Sequence, residues 1–233
     1  PLRLPHSILE IVNDDRPFLL DSVVAELHQR RAQVHLAIHP VVAVQRDEAG
    51  RLLALPEPPE GAPRESMMQI RIDARSADPS EEILAGLRKV LEDVRVIVAD
   101  FEAMRERCGW IIDELERNPP PLPAAEIEEG LQFLRWLANK NFTFLGYRKY
   151  SFEGEGEAAV ARVVPDTGCG LLRREAYFVF DGLRNRGGLP EDVRDFLRRP
   201  DLVRITKSNR LSTVHKSVPM DAVAIKTFDE AGR

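Results

Sequence analysis

Little in this chain's composition points to a specialised chemistry. Two cysteines in 233 residues, Cys108 and Cys169, cannot build a disulfide framework, and without histidine help they are too few for a zinc site. Aromatic residues make up only 6%, which argues against a stacking platform for single-stranded nucleic acid. Lys and Arg number 33 against 38 Asp and Glu, a formal net charge of −5, so global basicity makes no case for nucleic acid either. No apolar run approaches the roughly 18 residues that a membrane-spanning helix needs. The first residues, Pro1-Leu2-Arg3-Leu4, lead straight into a strand-like run rather than a signal peptide. The expectation is a cytoplasmic chain with neither nucleic-acid nor membrane partners. There is no initiator Met, and the chain stops at Ala231-Gly232-Arg233 as if in mid-loop, so it reads as part of a longer protein.

What remains is ordinary for a globular chain: 43% hydrophobic and 30% charged residues, enough for one large domain or two small ones. Ile8-Leu9-Glu10-Ile11-Val12, within His6 to Asn13, predicts a short strand. Asp14-Asp15-Arg16-Pro17 predicts a helix start, with a carboxylate capping free N–H groups and Pro in the first turn. Phe18, Leu20, Val23, Val24 and Leu27 then recur at helical spacing to about Arg31. Val34 to Val44 reads as a second strand whose direction is reset at His39-Pro40. Asp47 to Arg64 reads as a loop, and Met68 to Ile72 as a third strand with one wet face.

From Ile83 to Leu115 apolar residues fall in steps of three and four, a helix period. One straight helix from Pro79 to Arg117 would be about 58 Å long at roughly 1.5 Å per residue. A break near Asp100 or Gly109 is therefore expected. The alternative makes Arg95 to Ala99 a fourth strand, completing a β-α-β-β-α-β unit.

Asn118-Pro119-Pro120-Pro121-Leu122-Pro123 marks the domain boundary, an extended proline linker over 119–123. It separates an expected domain at 1–118 from an α+β domain at 124–233. In the latter, Ala124 to Asn139 reads as an amphipathic helix with Ile127, Leu131, Leu134, Trp136 and Leu137 on one face. Strands are expected at Phe142 to Tyr150, Val160 to Val164, Leu171 to Arg173, Tyr177 to Phe180, Leu202 to Lys207 and Ala222 to Phe228. A turn is expected at Gly154 to Glu157 and a short helix at Pro190 to Arg198.

Candidate chemistry is sparse. His35 and His39 lie in a strand pattern, about 13 Å apart, and cannot chelate one ion; no metal site is expected. Gly154-Glu155-Gly156 and Gly168-Cys169-Gly170 lack the strand–turn–helix context of a dinucleotide fingerprint. No residue set suggests a catalytic centre. Two polar constellations stand out. The turn Asn13, Asp14, Asp15, Arg16, Pro17, Phe18, Leu19, Leu20, Asp21 opens a helix, whose N-terminal N–H groups can receive a carboxylate; the plain alternative is a well-capped helix. From Val203 to Val218 there are four cations, Arg204, Lys207, Arg210 and Lys216, and no acid. Strand alternation after Ser212 would set Ser212, Val214 and Lys216 on one face and Thr213 and His215 on the other. A strip of Lys207, Asn209, Arg210, Ser212, His215 and Lys216 suits a phosphate or carboxylate, or an acidic face of another domain.

The β-α-β-β-α order with Asp15-Arg16-Pro17-Phe18-Leu19-Leu20 in the first turn resembles an ACT domain, the small ferredoxin-like regulatory module whose Asp-x-Pro-Gly-x-Leu turn binds amino acids. Phe18 stands where that motif has glycine, which favours a packing role. The whole chain resembles the N-terminal region of the large, multidomain bacterial NAD-dependent glutamate dehydrogenases. The motifs that carry this likeness are Asn13-Asp14-Asp15-Arg16-Pro17-Phe18-Leu19-Leu20-Asp21-Ser22, Asn141 to Arg148, and Thr206 to Lys216 with Asp221. The resemblance implies a region without catalytic residues or bound cofactor, with NAD used further along the parent chain. It also implies oxidative deamination of L-glutamate to 2-oxoglutarate and ammonia as the parent reaction. Its implied partners are an amino-acid effector, downstream domains of the same polypeptide and further copies in a homo-oligomer. A purely structural scaffold with no ligand of its own is the alternative.

Overall fold

The computed structural model describes residues 6–55, 63–73, 79–154, 160–174, 177 and 191–228, with the side chains of residues 79, 80, 140, 192 and 209 outside the description. The chain divides into two compact units, Pro1–Arg95 with Ser212–Ser217 and Val96–Leu211 with Val218–Arg233. The division falls inside a helix, and the proline run lies within the second unit as a connector between helices.

Unit 1 is built on a period-two pattern. Its strands are β1 (His6–Asp14), β2 (Val34–Ile38), β3 (Val41–Ala43), β4 (Gln45–Arg46), β5 (Leu52–Ala54) and β6 (Arg64–Asp73). β6 is central and antiparallel to its neighbours, with β1 along one edge and β2 then β3 along the other. Ser66, Met68, Ile70 and Ile72 of β6 are buried while Gln69 and Arg71 are exposed, so one face of the sheet is core. Helix α1 (Leu19–Gln29) buries Leu19, Val23 and Leu27, and the first part of α2 (Pro79–Arg117) buries Ile83, Leu87, Val90 and Val94.

Several expectations are corrected here. The strand is not redirected at His39-Pro40. Ile38 pairs with Gln69 and Val41 with Ser66, so the register runs on unchanged past the gap. Pro40 has no N–H to donate, but its carbonyl still accepts from Met67 N–H at 2.9 Å, so the ladder is interrupted and not turned. The stretch from Asp47 to Arg64 is not all loop: β5 returns on β4 as a hairpin, and β6 starts at Arg64 rather than Met68. α2 is one continuous helix of 39 residues with no break at Asp100 or Gly109, and Arg95 to Ala99 is helix, not a fourth strand. α1 starts at Leu19, with no carboxylate capping it.

Unit 2 pairs the rest of α2 with α3 (Ala124–Trp136), which runs on into a π-helical turn, Leu137–Asn141. Cys108, Ile111 and Leu115 of α2 join Leu131, Leu134, Leu137 and Leu202 in one core cluster, with Ile127, Tyr147 and Val223 against it. Trp136, expected on this face, is half exposed and stacks on Phe133. Gly130 permits the close approach: a Cβ there would lie 2.6 Å from Leu202 Cδ2. Among the described residues the unit also holds three two-stranded ladders: β7 (Gly146–Tyr147) with β10 (Cys169–Gly170), β8 (Tyr150–Glu153) with β9 (Val160–Val163), and β11 (Val203–Leu211) with β12 (Pro219–Ile225). Helix α4 spans Glu191–Arg198.

Here too the strand expectations shift. Phe142 to Leu145 is irregular, because Phe142 and Phe144 pack sideways into the core cluster. Leu171–Arg173 is a 3-10 turn, wound around the guanidinium of buried Arg148, which donates to Leu172 O at 3.0 Å and Arg174 O at 2.6 Å. Tyr177 is not in a strand, and residues 178–180, 155–157 and 190 lie outside the described residues. Both units are mixed α/β with antiparallel ladders throughout.

Candidate functional site

The first candidate turn lies between β1 and α1. Asn13 Nδ2 donates to Asp14 O at 2.8 Å, and Arg16 Nη2 pairs with the exposed Asp14 carboxylate at 3.0 Å. Asp15 is anchored by its backbone, donating to Arg64 O at 2.9 Å, and among the described residues its carboxylate has no partner. Phe18 precedes the helix with φ 71°, in the left-handed region that a non-glycine residue occupies at a cost. The conformation that glycine would supply is thus retained with a side chain added. Phe18 O accepts from Ser22 N at 3.0 Å and from Ser22 Oγ at 2.5 Å. No side chain caps α1, which leaves the first N–H groups of the helix without an internal partner. Leu19 is core, 1% exposed, and so cannot itself meet a ligand.

Ser212–Ser217 belongs to the same unit. It is a bent loop and not a strand, so the expected alternation fails: Ser212 and Val214 are buried, while Lys216 is exposed. Ser212 Oγ donates to Val214 O at 2.7 Å and fixes the bend. The His215 ring lies 5.3 Å from the Phe18 ring, and His215 N–H donates to Ser22 Oγ at 2.9 Å. His215 is itself left-handed, at φ 67°. Its Nδ1 stands 3.4 Å from Asp21 Oδ2, an ion-pair distance when the ring is protonated. Thr213 Oγ1 donates to Asp93 Oδ2 at 2.7 Å, and Lys89 Nζ does so at 2.8 Å; Asp93 is fully buried in α2. Ser217 Oγ meets Gln29 Nε2. Two stretches almost two hundred residues apart in sequence therefore meet within unit 1.

Ser22 and Asp93 were not among the expected site residues. Asp93 had a signal: it interrupts the apolar stripe Val90, Val94, Ile97 of α2 with a carboxylate, and a buried acid requires donors. Asp100 repeats the pattern seven residues on. In unit 2 it accepts from Gly170 N–H at 2.7 Å and pairs with Arg173.

The cationic strip is divided. Lys207, Asn209 and Arg210 lie in β11, where Lys207 Nζ pairs with Asp221 at 2.6 Å and the Arg210 guanidinium sits 5.0 Å from the Tyr177 ring centre. The Asn209 side chain lies outside the described residues. Ser212, His215 and Lys216 belong to the loop of unit 1.

The glycine segment at 168–170 does not fit a dinucleotide. It leads into a 3-10 turn rather than a helix, and a Cβ on Gly168 would lie 2.5 Å from Leu172 O, so the chain's own backbone fills the space a pyrophosphate needs. No dehydrogenase step is assigned to this chain. Burial pushes the Cys108 thiol up, and burial together with Asp100 does the same to Cys169, so neither is an activated nucleophile. His39 Nε2 bonds Ser66 Oγ at 2.5 Å, and among the described residues no three His, Cys, Asp or Glu side chains come together to hold a metal ion. No helix among them is long and apolar enough to cross a membrane.

Residues 2–87 match the family described as glutamate dehydrogenase, ACT1 domain. The chain is 35% identical to the NAD-specific glutamate dehydrogenase of Halomonas elongata and 33% identical to that of Pseudomonas aeruginosa, over 98% of this chain in each case. The NAD-specific glutamate dehydrogenase of Mycobacterium tuberculosis is 30% identical over 60% of the chain and 9% of its own length. The chain spans 14% of the length of the first two. The ACT1 match covers the turn and α1, and the two longer alignments also take in the Ser212–Ser217 loop. The chain belongs to the large NAD-specific glutamate dehydrogenase family, as the N-terminal region that carries the ACT1 domain.

Proposed function

We propose that this chain is the regulatory and assembly region of an enzyme that oxidatively deaminates L-glutamate to 2-oxoglutarate and ammonia with NAD. The chemistry and the cofactor belong to downstream domains of the same cytoplasmic polypeptide. The observation that carries this reading is the meeting of Phe18 and His215 within one unit, at the open N-terminus of α1. An amino-acid effector would place its carboxylate on the free N–H groups of α1 beside Arg16, and its ammonium against Asp14 and Asp15, next to Asn13. Phe18 shapes the floor over the buried Leu19, and His215 closes one side. Exposed Lys216 in unit 1, and separately Lys207, Asn209 and Arg210 in unit 2, would each serve an anion or the docking of a downstream domain. We read unit 1 as the ferredoxin-like variant, from its β1–α1–β2–β6–α2 order.

The scaffold reading keeps one specific support: Arg16 already pairs with Asp14, and Phe18 is already packed. Replacing Asp15 and Arg16 together by Ala in the full-length enzyme separates the two. The sensor reading expects the response to amino acids to fall at least about tenfold, the size of one lost charge-assisted contact, with the melting temperature kept. An unchanged response with lowered stability supports the scaffold.

A further inference from the structure

Strand alternation leaves the second face of the unit 1 sheet uncovered, and that face is not built for water. Its rungs follow from the register: Ile8 pairs with Arg71, which pairs with Leu36; Glu10 pairs with Gln69, which pairs with Ile38; Val12 pairs with Met67. Ile8, Val12, Leu36 and Ile38 are between 45% and 58% exposed. An antiparallel sheet with one solvated face carries polar residues there. Four large aliphatic side chains, two on β1 and two on β2, instead flank Gln69 and Arg71 of β6, an exposed apolar surface of the kind that marks an interaction site.

Its charges say what fits. Glu10 and Arg71 sit on adjacent rungs, with opposite signs. Glu10 Oε1 accepts from Gln69 Nε2 at 3.2 Å, and among the described residues Arg71 has no carboxylate within ion-pair distance. A two-fold axis lying in the interface and bisecting the Glu10–Arg71 diagonal sets each Arg71 opposite the partner's Glu10. The same operation lays aliphatic residues on aliphatic residues, so the face is self-complementary, as an isologous interface must be. We propose that this sheet face binds the same face of a second copy of the chain, with two reciprocal Glu10–Arg71 pairs bracketed by the four aliphatic side chains.

This rests on, and localises, the assembly half of the function proposed above. β1 and β6 have nine and ten residues, so the face is about 30 Å by 15 Å at roughly 3.3 Å per residue and 4.8 Å per strand. That is a small interface, and small interfaces are weak and reversible unless other contacts in a longer chain raise the effective concentration.

Sedimentation equilibrium of the 233-residue chain across micromolar to near-millimolar concentration tests it. The expected result is a reversible rise from the 26.3 kDa monomer towards twice that mass. Arg71→Glu sets acid against acid and weakens the dimer by about tenfold or more. Glu10→Arg combined with Arg71→Glu restores it to within about threefold, because the swapped pair is again complementary. Ile38→Lys, on an exposed site that folding does not need, also moves the chain to monomer. A dimer indifferent to Arg71→Glu and Ile38→Lys overturns this face but leaves assembly through another surface. A monomer at every concentration overturns both the face and self-assembly by this chain, and assigns the patch to another part of the longer polypeptide.

Discussion

Phe18 holds a backbone conformation that glycine adopts freely and other residues reach at a cost of about 1–2 kcal/mol. What offsets that cost is its ring against His215 and its carbonyl on Ser22. Two substitutions separate backbone from side chain. Phe18→Ala loses the packing and keeps the strain, whereas Phe18→Gly loses the packing and relieves it. Chemical denaturation should find Phe18→Ala the less stable by about 1 kcal/mol, the reverse of the order in a helix interior. Equal stabilities would mean that Phe18 is not strained. The residue type at 18 was readable in the sequence as a departure from the ACT turn. Its contact with His215 was not, because nothing local says that a stretch almost two hundred residues later folds back. Asp93 was readable in principle, since a carboxylate on an apolar helix stripe must find donors; which donors it finds depends on the same long-range return.

At the scale of elements, periodicity served best where packing and local preference agree. The apolar steps of α2 predicted its full span, and the expected break failed for a physical reason. Gly109 weakens a helix by only about 1 kcal/mol, while the buried side chains at Met104, Cys108, Ile111 and Leu115 on either side hold the period. A Cβ at Gly109 meets nothing within 4 Å. Gly109→Ala should therefore raise stability by about 0.5–1 kcal/mol in thermal unfolding; a loss would mean that the helix bends there. The β4–β5 hairpin was hidden inside a stretch rich in Pro, Gly and charge. It is tied to β6 by Arg46, which donates from Nε and Nη2 to the two Glu65 oxygens, each at 2.6 Å. That hydrogen-bonded pair holds the Glu65 carboxyl below its usual range. A lowered folded value means the pair stabilises fully above the ordinary carboxylate range near pH 4 and fades as pH falls through the lowered value. The melting-temperature gap between the parent and Glu65→Gln should thus shrink on acidification from neutral pH. A gap constant down to acid pH would show that the pair contributes nothing through charge. The short strands of unit 2 were the least readable elements. Leu171–Arg173 has strand-like residues, yet the buried Arg148 guanidinium gathers the Leu172 and Arg174 carbonyls around a turn, and no strand or helix period encodes that.

For the whole molecule, composition excluded more than it indicated, and the family emerged from motifs at 13–22, 141–148 and 206–216 spread along the chain. The structure gives two of them a common place: the first, and residues 212–216 of the last, lie in unit 1, where Phe18 meets His215. The middle motif has a different purpose, with Arg148 organising unit 2. At Gly168 and Gly170 the chain's own backbone comes so close that a Cβ would meet it at 2.5 and 2.4 Å. If the Asn13–Phe18 turn senses an amino acid as proposed, calorimetric titration of the 233-residue chain with a panel of amino acids gives saturable heat from at least one of them, at one site per chain. That heat is lost in Arg16→Ala while the fold persists. A folded chain that gives no heat with any amino acid at millimolar concentration, or binding that ignores Arg16→Ala, would contradict it.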